Sequence, residues 1–391
     1  MRQSIRRTFL LRCTSAFAAA ALACACAHPG ADSRARREAT ELVYVGTQGH
    51  KVHALRFDPA SGALTAIGVA AQGPRTTWAV AHPHLPILYA IDDDSAREGS
   101  VIAYRVDRTS GQLARIGAAP TGGKGTTYLW LDAPSMTLLA ANFGSGSVSS
   151  IALGEDGRPG ALVSTVSETG SGPHRRQASA HAHSVAIDPS GRYALVPDLG
   201  ADRVFVYGFE RATRVLAPAD DGAAGPRAFA AAPGSGPRHL AFGADGRFVY
   251  LLDELSAQLM TLRWDAGAGH LSLVQSVSID SPEFKGTPSG AEVASSVDGR
   301  MVYVANRGEN SLLVYRVNPD SGEPVLVQRI ASGGEAPWSF ALHPSGRWML
   351  VANQRSGRVN VFAIAPGSGL LADTGHSVGV ATAVSLTFAK L

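Results

Sequence analysis

The sequence predicts an all-β fold, a seven-bladed β-propeller with four strands in each blade. Composition is the first reason: 43 Gly and 22 Pro among 391 residues, with only 17% charged residues, suit many short strands joined by tight turns. The second is a unit that recurs along the chain at the spacing of a propeller blade. The third is that the first repeat unit lacks one strand, while an unassigned strand-like segment stands at the C-terminus.

The first 27 residues differ from the rest and predict a secretory leader. Arg2, Arg6 and Arg7 precede an Ala-rich apolar run that ends at Ala27. The segment Arg6-Arg7-Thr8-Phe9-Leu10 resembles a twin-arginine export signal, a route for proteins that cross the membrane already folded. Because the apolar run is only roughly 15 residues long, it is short for a spanning helix. We therefore expect cleavage and an exported, periplasmic protein with no integral membrane span.

The cysteines bear on how the leader is processed. Ala25-Cys26-Ala27 offers an A-x-A cleavage site, whereas Cys24 and Cys26 leave lipid anchoring open as an alternative. All three cysteines of the chain lie in this leader, the other being Cys13, so the mature sequence has no disulfide and no thiolate nucleophile. We expect residues 28–40 to form a linker and residues 41–391 to form the propeller.

Charge excludes one class of partner. Residues 1–27 contain four Arg and no acidic residue, so their removal changes the formal net charge from +3 to 3 − 4 = −1. The basic character belongs to the leader, and the body shows no basic patch for nucleic acid.

The repeated unit is an apolar strand, a turn of D-P-S-G-R type, and a second strand that ends in a polar residue. It is clearest at HSVAIDPSGR-YALVPD from His183, and it recurs from Arg238, Ala291 and Trp338. Alignment gives seven of these polar residues, 45 to 56 residues apart: Thr47, Asp92, Asn142, Asp198, Asp253, Asn306 and Asn353. We interpret the turn residues as turn chemistry and the alternating apolar residues as packing between blades.

The two ends of the chain complete one blade. The unit that begins at Leu42 has no strand of the HSVAIDP type before it, while Ala383 to Phe388 forms an unassigned strand at the other end. We expect this last segment to be the innermost strand of the first blade, which closes the ring and leaves no long edge strand exposed.

Two sets of positions should surround the channel mouth on one face, since the innermost strand starts there and the second strand returns there. The positions that start the innermost strands are Thr77, Thr127, His183, Arg238, Ala291 and Trp338. The positions that follow the polar residue are Gln48, Asp93, Phe143, Leu199, Glu254, Arg307 and Gln354.

Four charged or titratable members come from three successive blades: His183, Arg238, Glu254 and Arg307. Two guanidinium groups can bind a carboxylate, a phosphate or a developing oxyanion. A His and a Glu can transfer protons. An ion-pair network that merely seals the channel is the structural alternative.

Several ordered segments resemble the lactonase-type seven-bladed propellers. They are Arg176-Gln177, His181-Ala182-His183-Ser184, VPDLGADRVFVY, GSGPRHLAF, DEL, GAEV and ANRG. That family includes the propeller-type bacterial 6-phosphogluconolactonases and the fungal carboxy-cis,cis-muconate lactonising enzyme. The likeness covers roughly residues 42 to 388 and is most specific from Arg176 to Gly308.

The resemblance implies a catalytic set of one His, two Arg and one Glu. Carried onto the matching motifs, these are His183 in H-A-H-S, Arg238 in G-P-R-H, Glu254 in D-E-L and Arg307 in A-N-R-G. We expect Arg238, Arg307 and His181 to contact the substrate.

Three departures from the family pattern affect substrate identity more than fold. Pro337-Trp338 stands where the family usually has P-R, which removes one possible anion contact. Gly125 to Tyr128 replaces a Pro-x-His start, and the final strand lacks its usual Pro.

Other chemistry has weaker support. The sequence contains no G-x-S-x-G, H-E-x-x-H or EF-hand motif. His181 and His183 with His174 and His239 could ligate a metal, but a polar rim is the simpler interpretation. Asp92-Asp93-Asp94 could attract Ca²⁺, although an acidic loop tip is commoner. The Gly-rich segment after Asn142 precedes no helix, unlike a phosphate loop.

The predicted function is cofactor-independent, metal-free hydrolysis of a sugar-type lactone, 6-phosphogluconolactonase-like, by a monomer. The partner is then a small lactone or acidic sugar. Two alternatives remain: a muconate-type lactonising enzyme, and an exported propeller that binds a ligand without catalysis. Because 6-phosphogluconolactone belongs to cytoplasmic metabolism, the leader favours a periplasmic lactone.

Overall fold

A computed structural model describes residues 40–73, 75–219 and 227–389. The predicted leader and all but the last residue of the predicted linker lie outside these ranges. Every regular element in the described ranges is a β-strand. In these ranges no helix is long and apolar enough to cross a membrane.

The strands of the first four blades, in chain order, are β1 Glu41–Thr47, β2 Lys51–Phe57, β3 Leu64–Gln72, β4 Ala79–Ala81, β5 Ile87–Asp92, β6 Glu98–Val106, β7 Leu113–Lys124, β8 Thr126–Asp132, β9 Thr137–Asn142, β10 Ser147–Leu153, β11 Pro159–Ser167, β12 Ala186–Ile187, β13 Tyr193–Asp198, β14 Arg203–Glu210, β15 Val215–Pro218 and β16 Ala228–Ala230. The remaining strands are β17 Pro237–Phe242, β18 Phe248–Asp253, β19 Gln258–Asp265, β20 His270–Ser278, β21 Gly290–Ser295, β22 Met301–Asn306, β23 Ser311–Val317, β24 Pro324–Ala331, β25 Pro337–Leu342, β26 Trp348–Asn353, β27 Arg358–Ile364, β28 Leu371–Gly379 and β29 Ala383–Ala389.

These strands form seven antiparallel sheets, which confirms the predicted seven-bladed propeller. Six sheets have four strands, and the fourth blade adds the short β16 beside β14. Each second strand ends at its predicted polar residue, and all seven of these residues are buried. They bind nearby loops, as where Asp198 Oδ1 accepts hydrogen bonds from the amides of His181 and Ala201.

Closure of the ring is also confirmed. The C-terminal strand β29 pairs antiparallel with β1, with Leu42 opposite Ala389 and Val45 opposite Leu386. The first blade therefore takes its innermost strand from the end of the chain. The blades pack through apolar residues on both sheet faces, and buried tyrosines add hydrogen bonds between neighbours, as where Tyr44 Oη donates to the carbonyl of Gly111.

Several inner strands carry one extra residue near their start. In blade 5, Pro237 pairs with Asp253 and His239 pairs with Leu252, so Arg238 is unpaired in the ladder. Trp338 has the same place in blade 7. Such β-bulges change the direction of a side chain. Here they bring Arg238 and Trp338 into contact with the sixth blade, at Ala291 and Arg307 respectively.

Candidate active site

Glu254 is the centre of the candidate site. It follows β18 directly, and its amide donates to the carbonyl of Gly236 at 2.7 Å while its carbonyl accepts from Gly290 at 3.1 Å. These bonds fix it between blades 5 and 6. Its side chain is almost completely buried.

Three guanidinium groups bind the carboxylate of Glu254. Arg238 Nε lies 3.0 Å from Oε2, and Arg307 Nη2 lies 2.8 Å from Oε1. Arg176 Nη1, from the loop before β12, lies 2.5 Å from Oε1. We call Glu254 with these residues the arginine cluster. Three cations around one anion leave an excess of positive charge at this mouth.

The cluster determines the ionisation of Glu254. Burial alone favours the neutral acid, but Arg307, the neighbouring His183 and Arg238 hold the pKa of Glu254 well below its ordinary value. The carboxylate is therefore ionised at neutral pH and already occupied by cations. It is a poor proton acceptor, because the surrounding cations stabilise its negative charge.

The three arginines differ in exposure. Arg238 is 2% exposed, and besides Glu254 it donates from Nη1 to the carbonyl of Ala291. The side chain of Arg307 is 13% exposed and that of Arg176 is 42% exposed. Arg307 and Arg176 are therefore the cations that a ligand can reach, whereas Arg238 supports Glu254 from within.

His183 lies beside the cluster, with Nε2 3.6 Å from Glu254 Oε2. Burial lowers the pKa of His183 to about 3, and Arg238 adds to this effect. The imidazole is therefore neutral at physiological pH. Its Nδ1 is buried and has no hydrogen-bond partner among the described residues.

His181 is placed differently from His183. Its Nδ1 donates to the carbonyl of Phe143 at 2.8 Å, and its ring stacks on Phe143 with centroids 4.4 Å apart. Phe143 also meets His183 edge to face, at 5.6 Å. The structure thus joins His181 to the site through Phe143, with no direct bond to the arginine cluster in the described part of the chain.

A cavity of about 410 Å³ opens beside Arg307. Trp338 and Arg355 line it, together with Ser289, which accepts a 3.0 Å hydrogen bond from Arg307 Nε. The Arg307 guanidinium lies 4.4 Å from the centroid of the Trp338 ring. This cation–π contact orients the guanidinium without neutralising it. The cavity suits a small anionic or strongly polar ligand.

A second pair of titratable groups lies deeper in the channel. His239 Nδ1 and Glu292 Oε1 are hydrogen-bonded at 2.8 Å, and both residues are buried. Burial raises the pKa of Glu292 to about 8 against the opposing effect of Arg238, and burial holds the pKa of His239 well below its ordinary value. The two groups are accordingly neutral at pH 7.

Comparison with known protein families identifies the family of this chain. Residues 42–388 match the family described as Lactonase, 7-bladed beta-propeller. The chain belongs to this family. The match spans every described blade, from β1 to β29.

Individual relatives are similar over most of their length. The 6-phosphogluconolactonase of Bacillus subtilis is 32% identical over 323 residues, which cover 82% of this chain and 90% of the relative. The 6-phosphogluconolactonase of Cronobacter sakazakii is 28% identical, covering 87% and 96%. Among solved structures, the periplasmic gluconolactonase of Pseudomonas aeruginosa is 36% identical with a TM-score of 0.82, covering 90% of this chain and 99% of that one.

The structure brings the four predicted catalytic residues together and adds others. His183, Arg238, Glu254 and Arg307 form one contact network. Arg176, which the resemblance included without a role, is part of it. No repeat register could find Arg176, because it belongs to a loop between blades 3 and 4.

Two further residues have roles that the sequence did not indicate. From the sequence, we expected Trp338 only to remove an anion contact. In the structure, its ring makes a cation–π contact with Arg307. Glu292 stands one position after Ala291 in an inner strand, and only the bulge in that strand turns it into the channel.

The acidic segment that could attract Ca²⁺ is paired with other side chains in the structure. Asp92 and Asp94 pair with Arg97, and Asp93 Oδ2 accepts a 3.0 Å hydrogen bond from Thr77. In the described ranges no group of three or more His, Cys, Asp or Glu residues is arranged to hold a metal ion.

Proposed function

We propose that this chain hydrolyses a sugar-type lactone at the arginine cluster. One observation carries the proposal: reachable guanidiniums of Arg307 and Arg176 and a neutral His183 meet at Glu254, beside an open cavity. The names of the Bacillus subtilis and Pseudomonas aeruginosa relatives support this substrate class.

In this mechanism the oxygen of water attacks the ring carbonyl carbon. The carbonyl oxygen becomes an oxyanion, which Arg307 and Arg176 stabilise through charged hydrogen bonds. Preorganised donors of this kind contribute about 10²–10³ in rate. The bond between the carbonyl carbon and the ring oxygen then breaks, and the departing alkoxide takes up a proton to give the open hydroxy acid.

His183 is the proposed general base, and Glu254 is its supporting group. The neutral imidazole, with Nε2 3.6 Å from Glu254 Oε2, can accept the proton of the attacking water. The positive charge of Arg238 helps keep the pKa of His183 low. The oxyanion that develops beside the arginines offsets that charge and makes His183 a stronger base as water attacks.

The proposal is tested with a panel of lactones on the purified domain, following acid release by pH-stat. Gluconolactone, 6-phosphogluconolactone and muconolactone separate the substrate classes. Opening of a sugar lactone by the natural protein, with loss of activity in His183→Ala, supports the proposal. Turnover of muconolactone alone would assign the muconate-type reaction, and no turnover would assign a propeller that binds without catalysis.

Export to the periplasm is part of the proposal. The paired Arg and Ala-rich run of residues 1–27 support it, and so does the periplasmic gluconolactonase of Pseudomonas aeruginosa. An unphosphorylated lactone is then the expected substrate. Mass spectrometry of protein from the native host is expected to find a chain that starts near His28 or at a lipidated Cys. Recovery of intact Met1 would contradict export.

A further inference from the structure

The loop that carries Arg176 is long and contains neither a strand nor a helix. It runs from residue 168 to residue 185, between β11 and β12. The Arg176 side chain is 42% exposed, and within the described part of the chain its only hydrogen-bond and ion-pair partner is Glu254. A long side chain with one such partner can adopt many other rotamers. The place of this guanidinium therefore depends on how firmly its loop is held.

Gln177, the next residue along the chain, anchors this loop. It is completely buried, and its amide group bonds in three directions. Nε2 donates to the carbonyl of Leu199 at 2.8 Å and to Asp202 Oδ1 at 2.6 Å. Oε1 accepts from the backbone amide of His174 at 3.0 Å. Moving the anchor would leave several buried polar groups unpaired, which costs free energy. The backbone is thus fixed immediately after Arg176.

Asp202 connects this anchor to a second loop. It lies in the turn between β13 and β14 and is 7% exposed. Besides the bond from Gln177, its Oδ1 accepts from the amide of Gly236 at 2.8 Å, and its Oδ2 accepts from the amide of Gly234 at 2.7 Å. An asparagine at this position would present N–H groups to one of the two loops. Only a carboxylate accepts hydrogen bonds from both loops on both of its oxygens.

The second loop leads directly into the arginine cluster. Gly236 lies two residues before Arg238, and its carbonyl accepts the Glu254 amide at 2.7 Å. Asp202 therefore contacts the supports of two arginines, one on each side of Glu254. A shift of the Asp202 carboxylate would displace both loops relative to each other. The distance between the two guanidinium groups is thus set by a residue that contacts neither of them.

We propose that Asp202, acting through Gln177, is a positioning residue for the arginine cluster. It holds Arg176 and Arg238 in fixed places about Glu254 before any ligand binds. Such preorganisation makes charged donors effective toward an oxyanion, since no rearrangement is needed as the charge develops. The effect on turnover rests on the proposed function, whereas the placement of Arg176 does not.

Modification of arginine with phenylglyoxal reads this placement directly on the full protein. Peptide mass spectrometry gives the rate at each arginine. Gln177→Met keeps a similar volume without the amide, and it is expected to speed modification of Arg176 by about fivefold, as loss of one ion pair allows. Arg175, the exposed neighbour, should keep its rate. Gln328→Met removes two hydrogen bonds to Leu371 between blades 6 and 7 and is the matched control.

A double-mutant cycle reads the consequence for turnover of gluconolactone. Gln177→Met is expected to lower kcat/KM by about tenfold, because a preorganised donor is displaced. In an Arg176→Ala background the same change should have almost no effect, since the guanidinium that Gln177 positions is gone. Asp202→Asn is expected to keep part of its effect in that background, because Asp202 also holds the loop before Arg238. Gln328→Met should retain activity.

Two results would overturn the proposal. One is an unchanged modification rate of Arg176 in folded Gln177→Met and Asp202→Asn. The other is an equal loss of kcat/KM from Gln177→Met with and without Arg176, which would assign these bonds to fold stability alone. Should the natural protein open no lactone, the proposed function fails, and the modification rates still decide the placement. Melting temperatures check folding, and Gln177→Glu replaces Gln177→Met if the latter is unfolded.

Discussion

Two arcs of the same ring differ in chemistry although they occupy equivalent positions. In blades 5 and 6 the residues after the second strand are Glu254 and Arg307, which share an ion pair. In blades 7 and 1 they are Gln354 and Gln48, whose side chains form a 3.0 Å hydrogen bond. We call these the charged arc and the neutral arc. Every blade provides an equivalent position after its second strand. Charged residues at this position in blades 5 and 6 create the candidate active site, whereas glutamines at the same position in blades 7 and 1 do not.

The neutral arc coincides with the seam where the ring closes. The Gln48 amide donates to the carbonyl of Thr382 at 3.3 Å. Trp348 Nε1 donates to the carbonyl of Pro59, and His343 Nε2 lies 3.0 Å from Glu41 Oε2. Blades 7 and 1 therefore join the two ends of the chain.

Breaking the seam is expected to have the largest effect. Deletion of residues 383–391 removes β29 and exposes the inner edge of β1. We expect an insoluble protein, or a melting temperature lower by well over 10 °C, measured by circular dichroism. A deletion of residues 390 and 391 alone keeps β29 and serves as the control. Equal melting of the two proteins would show that the β1–β29 pairing does not stabilise the ring.

Removing the base from the charged arc should come next. His183→Ala is expected to lower kcat for a sugar lactone by about 10²–10⁴, since general base catalysis contributes that much. Gln48→Ala changes the neutral arc at the matching register and is expected to retain activity. Initial rates by pH-stat measure both. Equal losses in the two variants would remove the distinction between the arcs.

Arg176 sharpens the comparison within the charged arc. Its half-exposed side chain binds Glu254 from a loop, so its loss should affect ligand binding more than folding. Arg176→Ala is expected to raise KM for a phosphorylated lactone by about tenfold, and less for an uncharged one. Arg175→Ala changes the exposed neighbouring residue and is the matched control. An unchanged ratio of the two KM values would mean that Arg176 does not recognise anions.

The smallest expected effect concerns two buried acids with opposite pKa shifts. The folded-state pKa of Glu292 is raised to about 8, so the unfolded chain loses this proton at lower pH than the folded one. Its contribution to stability is therefore greatest below about pH 4.5 and declines as pH rises toward about 8. Glu254 behaves in the opposite sense: its contribution is fully present above about pH 4.5 and is lost progressively as the pH falls below that value.

This difference is measurable by melting at pH 5 and pH 8. We expect Glu292→Gln to lose less stability than the natural protein over that interval, because an amide does not titrate. Glu323→Gln, at an exposed carboxylate, should behave like the natural protein. A steeper decline in Glu292→Gln would contradict the assigned ionisation.

The sequence predicts the ring well because its signals are local and repeated. Seven buried polar residues at similar spacing set the number of blades, and the orphan strand from Ala383 predicts closure. The same registers predict Glu254 and Arg307 at one mouth. They do not predict which arginine is reachable, since the burial of Arg238 depends on a bulge and on contact with the next blade.

The remaining site residues escape prediction for a related reason. Arg176 reaches Glu254 across 78 residues of sequence from a loop with no periodic pattern. Glu292 and His239 meet across 53 residues, and each lies within an inner strand, where the repeat pattern alone gives neither of them a role. The contacts of these residues form only when several blades assemble around the channel, so no single repeat predicts them.

Pairing of the first strand with the last sets the order in which this protein can mature. A ribosome releases β1 early, yet its inner partner β29 emerges only after every other described strand. Every intermediate of synthesis therefore carries an unsatisfied β1 edge, which favours aggregation while it persists. The contact joins residues more than 300 positions apart, as Glu41 and His343 do, so folding must pay a large loop-closure entropy before the ring gains its final stability. Closure of the ring therefore waits for β29, which follows every other described strand along the chain.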